Sequence, residues 1–154
     1  MGVKNLIKFI KRYAPNAISY KKIDEFRNTR IGFDANLLIY KIVFGIRVRG
    51  YDIMNDDKNV THIHALLLKF LGFLKYNITP IFVFDTKMPC IKYNTLKKRE
   101  DAKNKIIKKY EKSKSKEGKR IHYYVSSDIT EKDIEECIKL ILMFGYNVHI
   151  LNIN

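Results

Sequence analysis

Two short apolar runs, each stopping on an aspartate, limit what this chain can fold into more than any other feature. They are Arg30-Ile31-Gly32-Phe33-Asp34-Ala35 and Pro80-Ile81-Phe82-Val83-Phe84-Asp85-Thr86. β-Branched and aromatic runs of this length, separated by helical periodicity, read as buried strands of a parallel sheet. If the two lie side by side, about 4.8 Å apart, their C-terminal ends bring Asp34 and Asp85 to one crevice. Paired carboxylates repel, and a hard divalent cation is the ordinary means of keeping both ionised.

The segments around these runs alternate in the same α/β manner. Val3 to Tyr13 carries Leu6, Ile7, Ile10 and Tyr13 at helical spacing opposite Lys4, Lys8, Lys11 and Arg12, and Pro15 ends it. A short helical turn is expected over Ser19 to Phe26. Asn36 to Phe44 reads as a largely buried helix loosened by Gly45, and Arg47 to Asn59 as a loop long enough to reach a ligand. Thr61 has the position of an N-cap for a helix whose stripe is Ile63, Leu66, Leu67, Phe70, Leu71 and Leu74. His62 and His64 stand two apart, so they do not share a helical face and read as surface or cap residues.

Beyond Asp85, Thr95 to Lys112 is a very basic helix with a thin apolar seam (Leu96, Ala102, Ile106, Ile107, Tyr110), expected to stand partly clear of the core. Lys112 to Arg120 reads as a hinge or disordered stretch, and Ile121 to Val125 as a short edge strand or linker. Thr130 with Asp133 forms a capping box for a final helix whose inward face holds Ile134, Cys137, Ile138, Ile141 and Leu142. Cys137 there reads as a packed core thiol. Gly145 stops this helix, and Tyr146 to Leu151 reads as a third strand.

Charge narrows the partner. Thirty Lys and Arg against sixteen Asp and Glu give +14 in 154 residues, which points to a polyanion. From Lys97 to Arg120 twelve basic and four acidic residues give net +8 in twenty-four positions, Lys97, Lys98 and Lys103 among them. Composition alone leaves open a merely solvated Lys-rich face. No run approaches 18 uncharged apolar residues, so no membrane span is expected, and Cys90 and Cys137 lack metal-ligand spacing.

On these residues the chain resembles the N-terminal region of the flap endonuclease (XPG/Rad2-like) branch of structure-specific 5′ nucleases. Met1-Gly2-Val3-Lys4-Asn5-Leu6 is similar to the family's N-terminal motif, Ile31 to Asn36 with Ile39-Tyr40 to its first internal motif, and Pro80 to Pro89 to its second, with Thr86 in place of the usual glycine. The resemblance implies a PIN-like parallel-sheet core with flanking helices and a protruding basic helical arch or gateway over residues 92–120. Residues 1–154 would then be one N-terminal nuclease region, incomplete by comparison with the family. The activity implied is magnesium-dependent hydrolysis of DNA phosphodiesters at a 5′ flap or nicked end, with manganese as a substitute.

Carried over residue by residue, Asp34 and Asp85 match two metal-binding carboxylates. Lys92 and Arg99 match a catalytic lysine and arginine that stabilise the scissile phosphate. Tyr40 matches a base-stacking residue, Arg47 a basic residue near the substrate, and Thr61 a residue of the phosphate-contacting region; Gly2 matches the glycine that threads the amino end close to the site. The implied partner is flapped or single-stranded DNA, RNA not being excluded. A sliding clamp would need a C-terminal tail that this sequence lacks. The implied place of action is the nucleus or a site of DNA replication or repair, or the cytoplasm for a prokaryotic or cytoplasmic viral protein. The family's later Ser-Glu-Ala-Glu-like motif and downstream aspartates have no counterpart here, and two-metal hydrolysis needs a fuller ligand set. The chain alone is therefore expected to cleave poorly. The alternative is a non-catalytic nucleic-acid-binding protein on the same fold.

Overall fold

The computed structural model describes residue 3, residues 5–85 and residues 93–151, with the side chains of residues 93–96 and 99 outside that description. Three parallel strands form its centre: β1 (Arg30–Asp34), β4 (Thr79–Asp85) and β5 (Asn147–Leu151), in the order β1-β4-β5. β2 (Met54–Asn55) and β3 (Lys58–Asn59) make a separate antiparallel pair in the loop before the third helix. The helices are α1 (Leu6–Tyr13), α2 (Ala35–Arg47), α3 (Thr61–Lys75), α4 (Tyr93–Tyr110), α5 (Lys116–Ser126) and α6 (Glu131–Met143), with 3-10 turns at Pro15–Ala17 and Ile23–Phe26. All three expected strands and all five expected helices are present.

Pairing of Phe33 with Phe82 puts those two rings on one face of the sheet, and the two-residue alternation of strands adds Ile31, Pro80, Phe84 and Val148. Helices α2, α3 and α6 cover this face. Ile39 and Val43 of α2, Leu66, Phe70 and Phe73 of α3, and Cys137 and Ile141 of α6 are buried with Phe82 and Phe84 in one core. Rings interlock there: Phe33 lies 5.0 Å from Phe73, and Phe70 5.9 Å from Phe82. Such pairs add roughly 0.5–1.5 kcal/mol each beyond the area they bury. The opposite face is open, with Gly32, Asn147 and His149 exposed and Ile81 and Val83 half-buried.

Local chemistry explains the element boundaries. Thr130 Oγ1 accepts from Asp133 N at 3.2 Å while Asp133 Oδ2 accepts from Thr130 N at 2.8 Å, the expected capping box of α6. Gly145 closes that helix at φ 73°, in the left-handed region that favours glycine.

Leu142, expected on the inward face of α6, is exposed, and four further expectations are corrected. Residues 121–125 are helical, not an edge strand, and lie inside α5. The supposed hinge of residues 112–120 is only a short turn, because Ser115 Oγ accepts from Gly118 N at 3.0 Å and starts α5 directly. Gly118 packs so close to Ser113 that a Cβ would collide with its hydroxyl. Thr61 does not cap α3; it is the first helical residue, and its hydroxyl donates to Asp52 Oδ1 at 2.8 Å. His62 is buried rather than exposed, with Nε2 2.8 Å from Glu136 Oε2 and Nδ1 3.6 Å from Asp133 Oδ1, so it ties α3 to α6.

Candidate active site at the carboxyl ends of the strands

Asp34 is opposite Val83 in the parallel register, and Asp85 follows Val83 by two residues on the same strand. Side chains two apart share a face, so Asp34 and Asp85 project from the same, open side of the sheet. One strand spacing and two residues of rise separate their Cα atoms by about 8 Å. Both residues are exposed. Asp34 also starts α2, since its Oδ1 accepts from Leu37 N at 2.9 Å and caps that helix. Asn36 Nδ2 donates to the main-chain oxygen of Asp85 at 3.1 Å, tying the two strand ends together across the crevice.

A hydrated magnesium ion commonly takes only one or two protein carboxylates and keeps several waters. The second oxygen of Asp34 and the carboxylate of Asp85 fit that demand for one ion. A two-ion centre asks for more, and among the described residues no group of three His, Cys, Asp or Glu side chains could hold a metal.

Above this end, α2 carries Leu37 and Tyr40 on its exposed side. Tyr40 stacks on Phe44 at 5.8 Å and 14°, and Phe44 meets Tyr124 of α5 edge-on at 5.3 Å. The Tyr40 ring is thus held by its neighbour while 42% of the residue faces solvent.

Arg47 is 5% exposed and Thr61 is fully buried. Arg47 Nε donates to Asp52 Oδ1 and one terminal nitrogen to the Asp128 main-chain oxygen, both at 2.8 Å. Its guanidinium also lies 5.6 Å from the Phe44 ring centre. Thr61 Oγ1 accepts from Ile53 N as well as donating to Asp52. Asp52, to which Tyr123 also donates, is the residue that sequence reasoning missed. It sits in a polar loop and its partners are remote in sequence, so nothing local marks it.

Lys97 and Lys98 on α4 are exposed, whereas Lys103 Nζ donates to both oxygens of Asp128 at 2.7 and 2.8 Å. Gly2, Lys92 and the side chain of Arg99 lie outside the described residues. No described residue of α4 is buried, and its packing partner is α5.

The XPG N-terminal domain family model matches residues 1–106. Flap endonuclease 1 of Babesia bovis is 33% identical over 155 residues, taking in 96% of this chain and 23% of that protein. Flap endonuclease 1 of Danio rerio is 28% identical over 149 residues, taking in 94% of this chain and 39% of that protein. The chain therefore spans two-fifths or less of the length of these relatives. Among solved structures, the catalytic core of Rad2 in complex with DNA substrate (complex III) superposes with a TM-score of 0.61 at 20% identity, over 97% of this chain and 39% of that one. Complex II of the same core gives 0.56 at 20% identity. The fold is thus that of a 5′-nuclease core, and with more than half its length matched by the family model, the chain belongs to the XPG N-terminal domain family.

Proposed function

We propose that this chain acts as the metal-and-flap portion of a structure-specific 5′ nuclease that hydrolyses DNA phosphodiesters with a divalent cation, magnesium or manganese. The observation that carries this reading is the placement of Asp34 and Asp85 on one face at the carboxyl ends of neighbouring parallel strands, in a chain of this family. A cation held there would polarise a scissile phosphate and lower the pKa of an attacking water.

The chain's own residues supply the rest. Asp34 and Asp85 would hold the cation, and Asn36 keeps their strands in register. Tyr40, backed by Phe44, offers a ring face on which a terminal base can stack, worth about 1–3 kcal/mol per base. Lys97 and Lys98 give α4 an exposed positive side, and α4 begins eight residues after Asp85, so a 5′ single strand reaching the carboxylates would pass beside it. In this reading α4 and α5 are the arch, and Lys92 and Arg99 offset charge on the phosphate, as the resemblance implies. Gly2 lies outside the described residues and keeps only the role that the resemblance implies.

Among the described residues the strand ends bring together two carboxylates and no group of three metal-ligating side chains, which favours a second reading, a nucleic-acid-binding protein with little or no hydrolysis. Single-turnover cleavage of an end-labelled 5′-flap duplex separates the two. The nuclease reading expects slow magnesium-dependent product at the flap junction, lost in Asp34→Asn. Tight flap binding with no product under magnesium or manganese would establish the binding-only reading instead.

A further inference from the structure

Arg47, Asp52, Thr61 and Tyr123 form a largely buried polar cluster that neither the strand-end carboxylates nor the basic surface of α4 requires. Asp52 accepts from Arg47 Nε, from Thr61 Oγ1 and from the Tyr123 hydroxyl. These donors come from the end of α2, the start of α3 and the last turn of α5. Because Asp52 joins the end of α2 to the start of α3, those two helices form an antiparallel hairpin. Twelve residues of helix carry Arg47 about 18 Å from the Asp34 end. Arg47 then reaches the Asp128 main-chain oxygen, and the Asp128 carboxylate grips Lys103 in the middle of α4.

We propose that Asp52 is a positioning residue: it fastens the basic α4–α5 pair to the far end of the α2–α3 hairpin and so sets where α4 stands relative to Asp34 and Asp85. Its consequence for DNA rests on the nuclease reading above; the fastening itself does not. Elsewhere the pair has little hold on the core. No described residue of α4 is buried, and Gly118 is the buried residue of α5, where it packs on Ser113 of its own turn. Among the described residues, α5 also meets this same far end of α2 through Phe44 on Tyr124, beside Arg47, and through Arg120 against Gly50 just past the helix. Around Asp52 the bonds are charge-assisted and sheltered, with side chains of Arg47 and Asp52 6% and 15% exposed. Burial alone would raise the Asp52 carboxyl, but the bonds from Tyr123, Arg47 and Thr61 outweigh it and hold the group below its ordinary value. The carboxylate is therefore the form that the cluster is built around.

A fastener differs from a general contributor to stability in what its loss moves. Cysteines for spin labels would be placed at Lys105 on α4 and Leu68 on α3, both exposed, in a Cys90→Ser background, and their separation read by double electron-electron resonance. Wild type is expected to give one narrow distance distribution, and Tyr123→Phe and Asp52→Asn a broadened or displaced one. Gly145→Ala serves as the control, since it strains the left-handed turn at the far end of α6 from the cluster. Equal broadening in that control at matched loss of thermal stability, or no broadening in Asp52→Asn, would overturn the proposal.

The second arm compares fluorescence anisotropy on a 5′-flap duplex and on single-stranded DNA of equal length. Loss of one charge-assisted bond is expected to cut the preference for the flap about tenfold in Asp52→Asn, while single-strand affinity stays within about twofold. Loosened labels with an unchanged flap preference would overturn the positioning role. Absence of any flap preference in wild type would sink the nuclease reading, and the label distances would then decide the fastening alone.

Discussion

Replacing Asp34 separates two jobs done by one side chain. Its Oδ1 caps α2 through Leu37 N at 2.9 Å, and its charge is half of the proposed metal site. Asp34→Ala removes both. Loss of an N-cap costs about 1 kcal/mol. With an unfolding entropy of about 2.1 cal/mol/K per residue, 154 residues give roughly 0.3 kcal/mol/K, so Tm should fall by about 3 °C. Asp34→Asn keeps an acceptor oxygen and removes only the charge, so its Tm without metal should stay within about 1 °C of wild type. Metal acts differently. If two carboxylates bind manganese with Kd of order 1 mM, then 10 mM stabilises the wild-type fold by about 1.4 kcal/mol, or about 4 °C, and neither variant gains it. Thermal unfolding followed by circular dichroism, with and without manganese, gives all six values. An Asn variant that falls as far as the Ala variant would show that the cap bond does not fix the start of α2. A manganese shift undiminished in Asp34→Asn would remove Asp34 from the metal site.

Other expectations follow from individual side chains. Burial, then the bond to Asp52, pushes the Tyr123 phenol from 10.0 up to about 12, so what this pair contributes is fully present below pH 10 and is lost as pH rises towards 12. Wild type should therefore lose Tm more steeply across that window than Tyr123→Phe, and parallel curves would refute the assignment. The Cys137 thiol is pushed up to about 12 by burial and by the Asp133 and Glu136 carboxylates; in a Cys90→Ser background it should react with an aromatic disulfide at pH 8 only upon unfolding, and fast native-state labelling would contradict the packing. Replacing Lys97, Lys98, Lys105 and Lys108 with alanine should flatten the dependence of log affinity on log salt by about 0.7 for each phosphate of a single strand that is no longer neutralised, and an unchanged slope would exclude α4 as the binding face. Gly118→Ala drives a Cβ into Ser113 and should cost about 1–3 kcal/mol, partly recovered by adding Ser113→Gly, since the Ser115 hydroxyl also crowds that Cβ; chemical denaturation that finds the single variant as stable as wild type would show that the turn yields.

The parts of the fold that are legible in the sequence share a cause, which is that a local pattern settles them. β1 and β4 are apolar runs closed by turn chemistry, so the aspartates at their ends can be read before any pairing is known. The capping box of Thr130 and Asp133 lies within one helical turn. Part of α5 reads as a strand because Ile121, Tyr123, Tyr124 and Val125 are residues that strands favour. What makes them helical is the Ser115 cap and the packing of Tyr124 on Phe44, and the second of these is tertiary. His62 reads as a surface residue because its carboxylate partner Glu136 is 74 residues away.

Arg47 shows the same limit where function is concerned. Its charge counts towards a polyanion-binding surface, and the resemblance puts it near the substrate, yet its guanidinium is occupied inside the protein by Asp52 and by an oxygen 81 residues on. Asp52 likewise meets Tyr123 across 71 residues. A positive charge in a sequence therefore records a capacity, and burial decides whether that capacity is turned towards solvent or spent on the fold. Of the basic residues singled out from the sequence, Lys97 and Lys98 keep theirs on the surface, Lys103 shares its own with Asp128, and Arg47 spends its own on orienting the helices that carry the others. In the proposed reading, that division of labour puts electrostatic attraction and geometric selection of a nucleic acid in different residues. Substitutions at Lys97 and Lys98 should act on affinity and its salt dependence, and substitutions around Asp52 on the preference among strand geometries.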